Sequence, residues 1–117
     1  MQTLSARVVH LTSTHNRNDT RIFLKMCSTL AKYGHDVFLV VADGKGDDIK
    51  NGVSIFDVGV KSSGRLSRMT RTVSWVFEKG KNLDGDIYHL HDPELMPIGI
   101  MLKGLGKKVI FDAHEDL

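Results

Sequence analysis

The chain has 117 residues, 41% hydrophobic and 26% charged, which is the composition of one folded domain and excludes a disordered chain. Its 16 Lys and Arg against 14 Asp and Glu leave a net charge of +2, which argues against a nucleic-acid partner. A single cysteine excludes an internal disulfide framework, and the longest apolar runs are too short to span a membrane. These features predict a cytoplasmic protein.

The first part of the sequence predicts a strand, a helix and a second strand. Arg7 to Leu11 is short and β-branched, and Asp36 to Val41 is a continuous apolar run, as in strands covered on both faces of a parallel sheet. The intervening helix is predicted to have Asn18 or Asp19 as its N-cap and to end at Gly34. Its apolar positions are Ile22, Phe23, Met26 and Leu30.

The middle of the sequence predicts a third strand and a second helix. Val53 to Val58 follows a turn at Lys50 to Gly52, and we expect it to pair beside the second strand. A helix follows, and the segment from Gly80 to Gly85 ends it. Its apolar stripe comprises Leu66, Met69, Val73, Val76 and Phe77.

An acid-free basic stretch leads into the second helix. Such a stretch is either a solvated face or a peripheral contact with anionic lipid head groups at the inner face of the cell membrane. Its members are Lys61, Arg65, Arg68 and Arg71.

The last part of the sequence predicts two more strands and the helix that connects them. Asp86 to His91 and Lys107 to Asp112 are the strands, and Leu95 to Lys103 is the helix. Glu94 is the predicted N-cap because Pro97 then falls in the first turn, where its missing N–H costs nothing. Right-handed crossovers place the five strands in the order 3-2-1-4-5, a Rossmann-like open parallel α/β sheet.

Three polar segments are expected to meet at one edge of this sheet. The chain winds in opposite directions from strands one and four, so a crevice opens above their carboxyl ends. The segments are Thr12 to Arg21, His91 to Glu94 and Ala113 to Asp116, and they hold more charged and imidazole groups than connections need. The candidate substrate-binding residues there are His15, Asn18, Asp19, Arg21, His91, Asp92, Glu94 and Glu115, with His114 directed into the crevice after strand five.

The first of these segments predicts an anion site and no dinucleotide. It holds no glycine, so it cannot form the tight turn that admits the pyrophosphate of a nicotinamide or flavin cofactor. Arg17 and Arg21 lie beside the start of the predicted helix and would suit a phosphate or carboxylate. The alternative is an ordinary capped helix in which Arg21 pairs with Asp19 or with solvent.

A second chemical pattern involves His89 and His91, which lie two residues apart and so point to the same face of a strand. Asp92 follows at once, and some zinc or manganese hydrolases use such runs as ligands. His89 lies within an apolar strand, however, where a hydrogen-bonded core histidine is the favoured interpretation. We therefore expect no metal and no cofactor.

Four segments, taken in order, resemble the amino-terminal half of bacterial family 4 glycosyltransferases. They are Asn18 to Phe23, Leu30 to Val37, Tyr88 to Leu95 and Val109 to Asp116. The likeness extends over almost the whole chain and is greatest to enzymes that build capsular polysaccharide, exopolysaccharide or lipopolysaccharide.

The resemblance implies a GT-B architecture, in which two Rossmann-like domains face a cleft. Residues 1–117 would be a truncated acceptor-side domain, and the nucleotide-sugar-binding domain would be absent, leaving the isolated chain inactive. The implied reaction is retaining transfer of a sugar from a nucleotide-sugar to a glycan or lipid-linked acceptor, with no metal. By the same resemblance, His114 contacts the transferred sugar and stabilises charge, while His91, Asp92 and Glu94 line the acceptor side.

Two other functions stay open at this point. One is a stand-alone flavodoxin-like binding or regulatory domain, although a receiver would need an acidic cluster that Thr12 to Asn18 does not provide. The other is a metal-dependent hydrolase built on His89, His91 and Asp92. The unpaired outer edge expected for strand five also predicts a homodimer through Lys107 to Asp112.

Overall fold

A computed structural model describes residues 6–14, 17–18, 25–59 and 64–112. Within these residues the fold is α/β and compatible with a Rossmann-like fold, with one six-stranded, mostly parallel sheet. The strands are β1 (Arg7–Leu11), β2 (Asp36–Val41), β3 (Asp48–Lys50), β4 (Val53–Asp57), β5 (Ile87–Leu90) and β6 (Lys108–Phe111). The α-helices are α1 (Ser28–Lys32), α2 (Arg65–Ser67), α3 (Val73–Asn82) and α4 (Met96–Gly104).

The strand order is β3-β4-β2-β1-β5-β6, which differs from the predicted 3-2-1-4-5 by one additional strand, while the five predicted strands keep their predicted relative order and parallel pairing. The difference is β3, which pairs antiparallel with β4 at one edge. The connecting residues Asn51 and Gly52 have φ angles of 53° and 79°, as a two-residue hairpin turn requires. All three residues of β3 are exposed, so no apolar pattern marks this strand in the sequence.

β1 lies at the centre of the sheet, between β2 and β5, and is parallel to both. The chain moves from β1 to one side to form β2 and later returns to the other side to form β5. The point between β1 and β5 where this direction reverses is the switch point, where open α/β sheets bind ligands. In the register of this pair, His10 lies opposite His89 and Leu11 opposite Leu90.

The sheet is covered by helices on both faces, as its apolar strands require. Under α3 and α4, residues from β1 and β5 form a buried core with residues from the two helices. On the opposite face, residues of β2 and β4 pack against Cys27 and α1. The first core comprises Val9, Leu11, Val40, Val73, Val76, Tyr88, Leu90, Leu95, Ile98 and Leu102, and the second comprises Cys27, Val37, Leu39, Val41, Val53 and Ile55.

The predicted helix ends are confirmed in part. Gly34 has a φ of 90° just after α1, so the left-handed terminator is confirmed, whereas the predicted start of this helix near Asp19 lies outside the described residues. The predicted second helix is interrupted by a π-helical segment, Arg68–Thr72, that joins α2 to α3.

Glu94 is not the N-cap of the last helix, so that prediction is wrong. A 3-10 turn, Pro93–Leu95, precedes α4 and leaves Leu95 at the N-cap position. Pro93 fixes the backbone for this turn, and Glu94 instead accepts a hydrogen bond from the segment after β1. Pro97 does fall in the first turn of α4, as expected.

Tyr88 links the sheet to the end of α3 through its buried hydroxyl. This hydroxyl donates to the carbonyl of Gly80 at 2.7 Å and accepts from the N–H of Gly85 at 2.9 Å. A Cβ atom on Gly80 would lie 2.8 Å from a methyl carbon of Leu11, so a larger residue there would require the buried Leu11 side chain to move.

Tyr88→Phe is expected to lower the free energy of unfolding by about 1–3 kcal/mol, because it leaves the buried Gly85 N–H without its acceptor. Urea unfolding followed by circular dichroism measures this difference. Tyr33→Phe is the matched control, since Tyr33 is 72% exposed and its change is expected to stay within about 0.5 kcal/mol. Equal unfolding midpoints for the two variants would contradict this role of the hydroxyl.

Candidate functional site

Asp92 joins the segment after β1 to the segment after β5 at the switch point. Its side chain is buried and accepts hydrogen bonds from the Thr12 hydroxyl at 2.6 Å and the Ser13 N–H at 2.8 Å. The Thr14 hydroxyl donates to the other carboxylate oxygen. Two of the three predicted polar segments therefore meet at the carboxyl edge of the two central strands.

Glu94 adds a second link between the same segments. Its Oε2 accepts a hydrogen bond from the Ser13 hydroxyl at 2.6 Å, and its side chain is half-buried. These contacts place three hydroxyls and two carboxylates in one hydrogen-bonded group, which we call the Asp92 junction: Thr12, Ser13, Thr14, Asp92 and Glu94. The paired strands β1 and β5, which these residues follow, hold the groups in place, as a binding site for a polar ligand requires.

Three histidines form a second cluster, beside the junction. Because β1 and β5 pair directly, the rings of His10 and His89 stack with centroids 4.9 Å apart. His91 lies 4.4 Å from His89 between ring centroids, and its Nε2 is 2.8 Å from Nδ1 of His10. The prediction that His89 and His91 point to the same face is met by their stacked rings, and the third residue in the group of possible metal ligands is His10, with Asp92 outside that group.

No sequence pattern indicated His10 as a candidate site residue. It lies in an apolar strand, and only the register of β1 and β5 reveals its proximity to the other two histidines. Burial, with the nearby His89, lowers the pKa of His10 to about 3, so its imidazole is neutral at neutral pH. Asp112 follows β6, and its carboxylate lies 3.5 Å from Nε2 of His89.

Arg17 is committed to a buried ion pair and does not form the predicted anion site. Its guanidinium donates two hydrogen bonds of 2.8 Å to Asp43, and both side chains are less than a tenth exposed. The guanidinium holds the pKa of Asp43 below its usual range. Arg17 also donates to the Gly46 carbonyl, so it organises the loop after β2.

Some of the remaining predicted residues lie within the described ranges and others lie outside them. Asn18 lies in a turn and is exposed, and His91 is fully buried. Arg71, from the basic stretch, is exposed. His15, Asp19, Arg21, His114 and Glu115 lie outside the described residues, as do Lys61 and the side chains of Arg65 and Arg68.

In the described ranges, no helix is both long and apolar enough to cross a membrane. No protein-family model matches the chain, and a search of curated proteins finds no significant match.

Proposed function

We propose that the chain is the amino-terminal, acceptor-side half of a retaining glycosyltransferase of cell-surface polysaccharide synthesis. It would move a sugar from a nucleotide-sugar to a glycan or lipid-linked acceptor, with both domains of a GT-B architecture taking part. One observation carries the proposal: the Asp92 junction lies at the switch point of the sheet. Asp92 and Glu94 also belong to the segment Tyr88 to Leu95 that resembles family 4 enzymes.

The junction has the chemistry that a saccharide acceptor needs. Sugar hydroxyls both donate and accept hydrogen bonds, and the half-buried residues of the junction offer the Thr14 hydroxyl and the Glu94 carboxylate. Asp92 is too deeply buried to meet solvent, so its role is to position the Ser13 and Thr14 segment. Groups held in this way reduce the entropy that must be lost when an acceptor hydroxyl is aligned with a donor.

The proposed reaction forms a bond between the acceptor oxygen and the anomeric carbon of the donor sugar. The bond between that carbon and the diphosphate oxygen breaks on the same face, and the leaving diphosphate takes the acceptor proton. His114 would contact the transferred sugar and stabilise the charge that develops as the bond breaks. The groups that hold the nucleotide would come from the second domain.

The two alternatives have less support than the transferase. The Asp92 carboxylate accepts hydrogen bonds from Thr12, Ser13 and Thr14, and it lies outside the group of possible metal ligands that contains His89 and His91. A stand-alone binding domain would not explain why four segments, in order, resemble family 4 glycosyltransferases. Homodimerisation through β6 and peripheral contact with anionic lipid stay predictions of the sequence.

His114→Ala is expected to lower sugar transfer by about 100-fold, with donor affinity and thermal stability little changed, because His114 would act mainly in the transition state. The assay uses the protein encoded by the complete reading frame, with labelled nucleotide-sugars and lipid-linked acceptors. His35→Ala is the control. His35 lies just before β2, at the amino ends of the parallel strands, whereas the Asp92 junction lies at their carboxyl ends. Full activity of a folded His114→Ala protein would overturn the assignment of His114, and no transfer by the unchanged protein with any donor would overturn the proposed function.

A further inference from the structure

The histidine cluster lies on the sheet face opposite α3 and α4, and the proposed reaction gives His10 and His89 no role. Side chains alternate between the two faces along a strand, so His10 points away from the core that holds its neighbours Val9 and Leu11. His10 and His91 are fully buried, and His89 is half-buried. Three imidazoles brought together in this way are costly to bury unless their nitrogens are satisfied.

We propose that His10, His89 and His91 bind one Zn²⁺ ion. Each residue offers a ring nitrogen, and the three nitrogens lie within 4.8 Å of one another. In a tetrahedral zinc site, with Zn–N bonds of about 2.0–2.1 Å, two ligand nitrogens are separated by roughly 3.4 Å. The nitrogens therefore need to move by little more than an ångström to reach one ion, and rotation of the side chains supplies such a movement.

The rings also have to turn, because a metal ion lies in the plane of each imidazole that binds it. The His89 and His91 rings are now stacked at 14° to each other. Nε2 of His10 has no hydrogen-bond partner among the described residues, and a buried ring nitrogen of this kind calls for a ligand. A metal ion bound to His10 would satisfy that nitrogen.

The surroundings of the cluster favour a metal of the zinc type. Imidazole ligands suit Zn²⁺, Cu²⁺ and Ni²⁺, whereas Mg²⁺ and Ca²⁺ require oxygen ligands. The Asp112 carboxylate lies 3.5 Å from Nε2 of His89, and a carboxylate on that side of the ring would orient His89 to bind the metal through Nδ1. The direct pairing of β1 with β5 fixes the backbone positions of His10 and His89. The inference does not depend on the proposed transferase activity.

The test is calorimetric titration of the chelator-treated protein with ZnCl₂, with MgCl₂ as the ion control. We expect one equivalent of Zn²⁺ to bind, no Mg²⁺ to bind, and His10→Ala to weaken Zn²⁺ binding by about 100-fold or more. His35→Ala is the matched control, because His35 accepts a hydrogen bond from the Ala6 N–H and lies outside the cluster. Co²⁺ bound at the same site should give the strong visible absorption of a tetrahedral complex.

Nitrogen NMR of the unchanged protein keeps the test decisive if His10→Ala does not fold. Zn²⁺ is expected to shift the imidazole ¹⁵N signals of the three cluster histidines and to leave those of His35 in place. Absence of Zn²⁺ binding at a metal concentration of about 100 µM would overturn the proposal, because a specific site is expected to bind more tightly than that. So would Zn²⁺ binding that a folded His10→Ala retains in full, or shifts confined to other histidines.

Discussion

Asp92→Ala is expected to lower the free energy of unfolding by about 3 kcal/mol, because three donors lose the same acceptor. Thr12 and Ser13 are 0% and 1% exposed, so water cannot readily replace the carboxylate there. Asp92→Asn retains one acceptor oxygen and is expected to lose roughly half as much. Urea unfolding curves of the three proteins measure these differences.

Comparison of Asp92→Ala with a substitution at an exposed carboxylate tests whether Asp92 holds the two segments in position. Glu78→Ala is the matched control, since the Glu78 side chain is 60% exposed and its pairing with Lys81, at 3.7 Å, is long. Its expected effect is at most about 0.5 kcal/mol. If Asp92→Ala and Glu78→Ala unfold at the same urea concentration, the Asp92 junction does not hold the two segments together.

Arg17→Met is expected to lower the free energy of unfolding by about 3–5 kcal/mol. The substitution leaves the Asp43 carboxylate, which is 8% exposed, without the guanidinium that faces it. A double variant, Arg17→Met with Asp43→Leu, is expected to recover most of the loss because no buried charge then remains. A single variant as stable as the unchanged protein would show that Asp43 reaches water without Arg17.

The Arg17 and Asp43 pair also predicts how stability depends on pH. The hydrogen bonds from Arg17 lower the pKa of Asp43 below 3.8, its ordinary value in an unfolded chain. The stabilisation by ionised Asp43 is therefore fully present above about pH 4 and is lost as pH falls through the lower pKa of the folded state. Asp43→Asn should remove this part of the acid dependence, which unfolding curves between pH 2 and pH 6 would detect. If Asp43→Asn and the unchanged protein lose stability in the same way between pH 6 and pH 2, this prediction is contradicted.

The strands that sequence alone predicted well are those with an unambiguous local pattern. Val37 to Val41 is apolar along its length because helices cover both faces of β2, and burial on two sides requires an apolar residue at each of these positions. Gly34 was identifiable as a terminator because a left-handed residue just after a helix favours glycine. β3 was missed since an exposed edge strand carries no apolar pattern.

The sequence by itself determined the α/β class, the parallel pairing expected of its apolar strands and the nearness of the polar segments after β1 and β5. These follow from local periodicity and from the rules of chain crossover. Only the tertiary structure decided that Asp92 holds Thr12 and Ser13, that Arg17 pairs with Asp43, and that His10 joins His89. Each of these contacts joins residues at least 26 positions apart, so it depends on strand register and loop path, which no local pattern encodes.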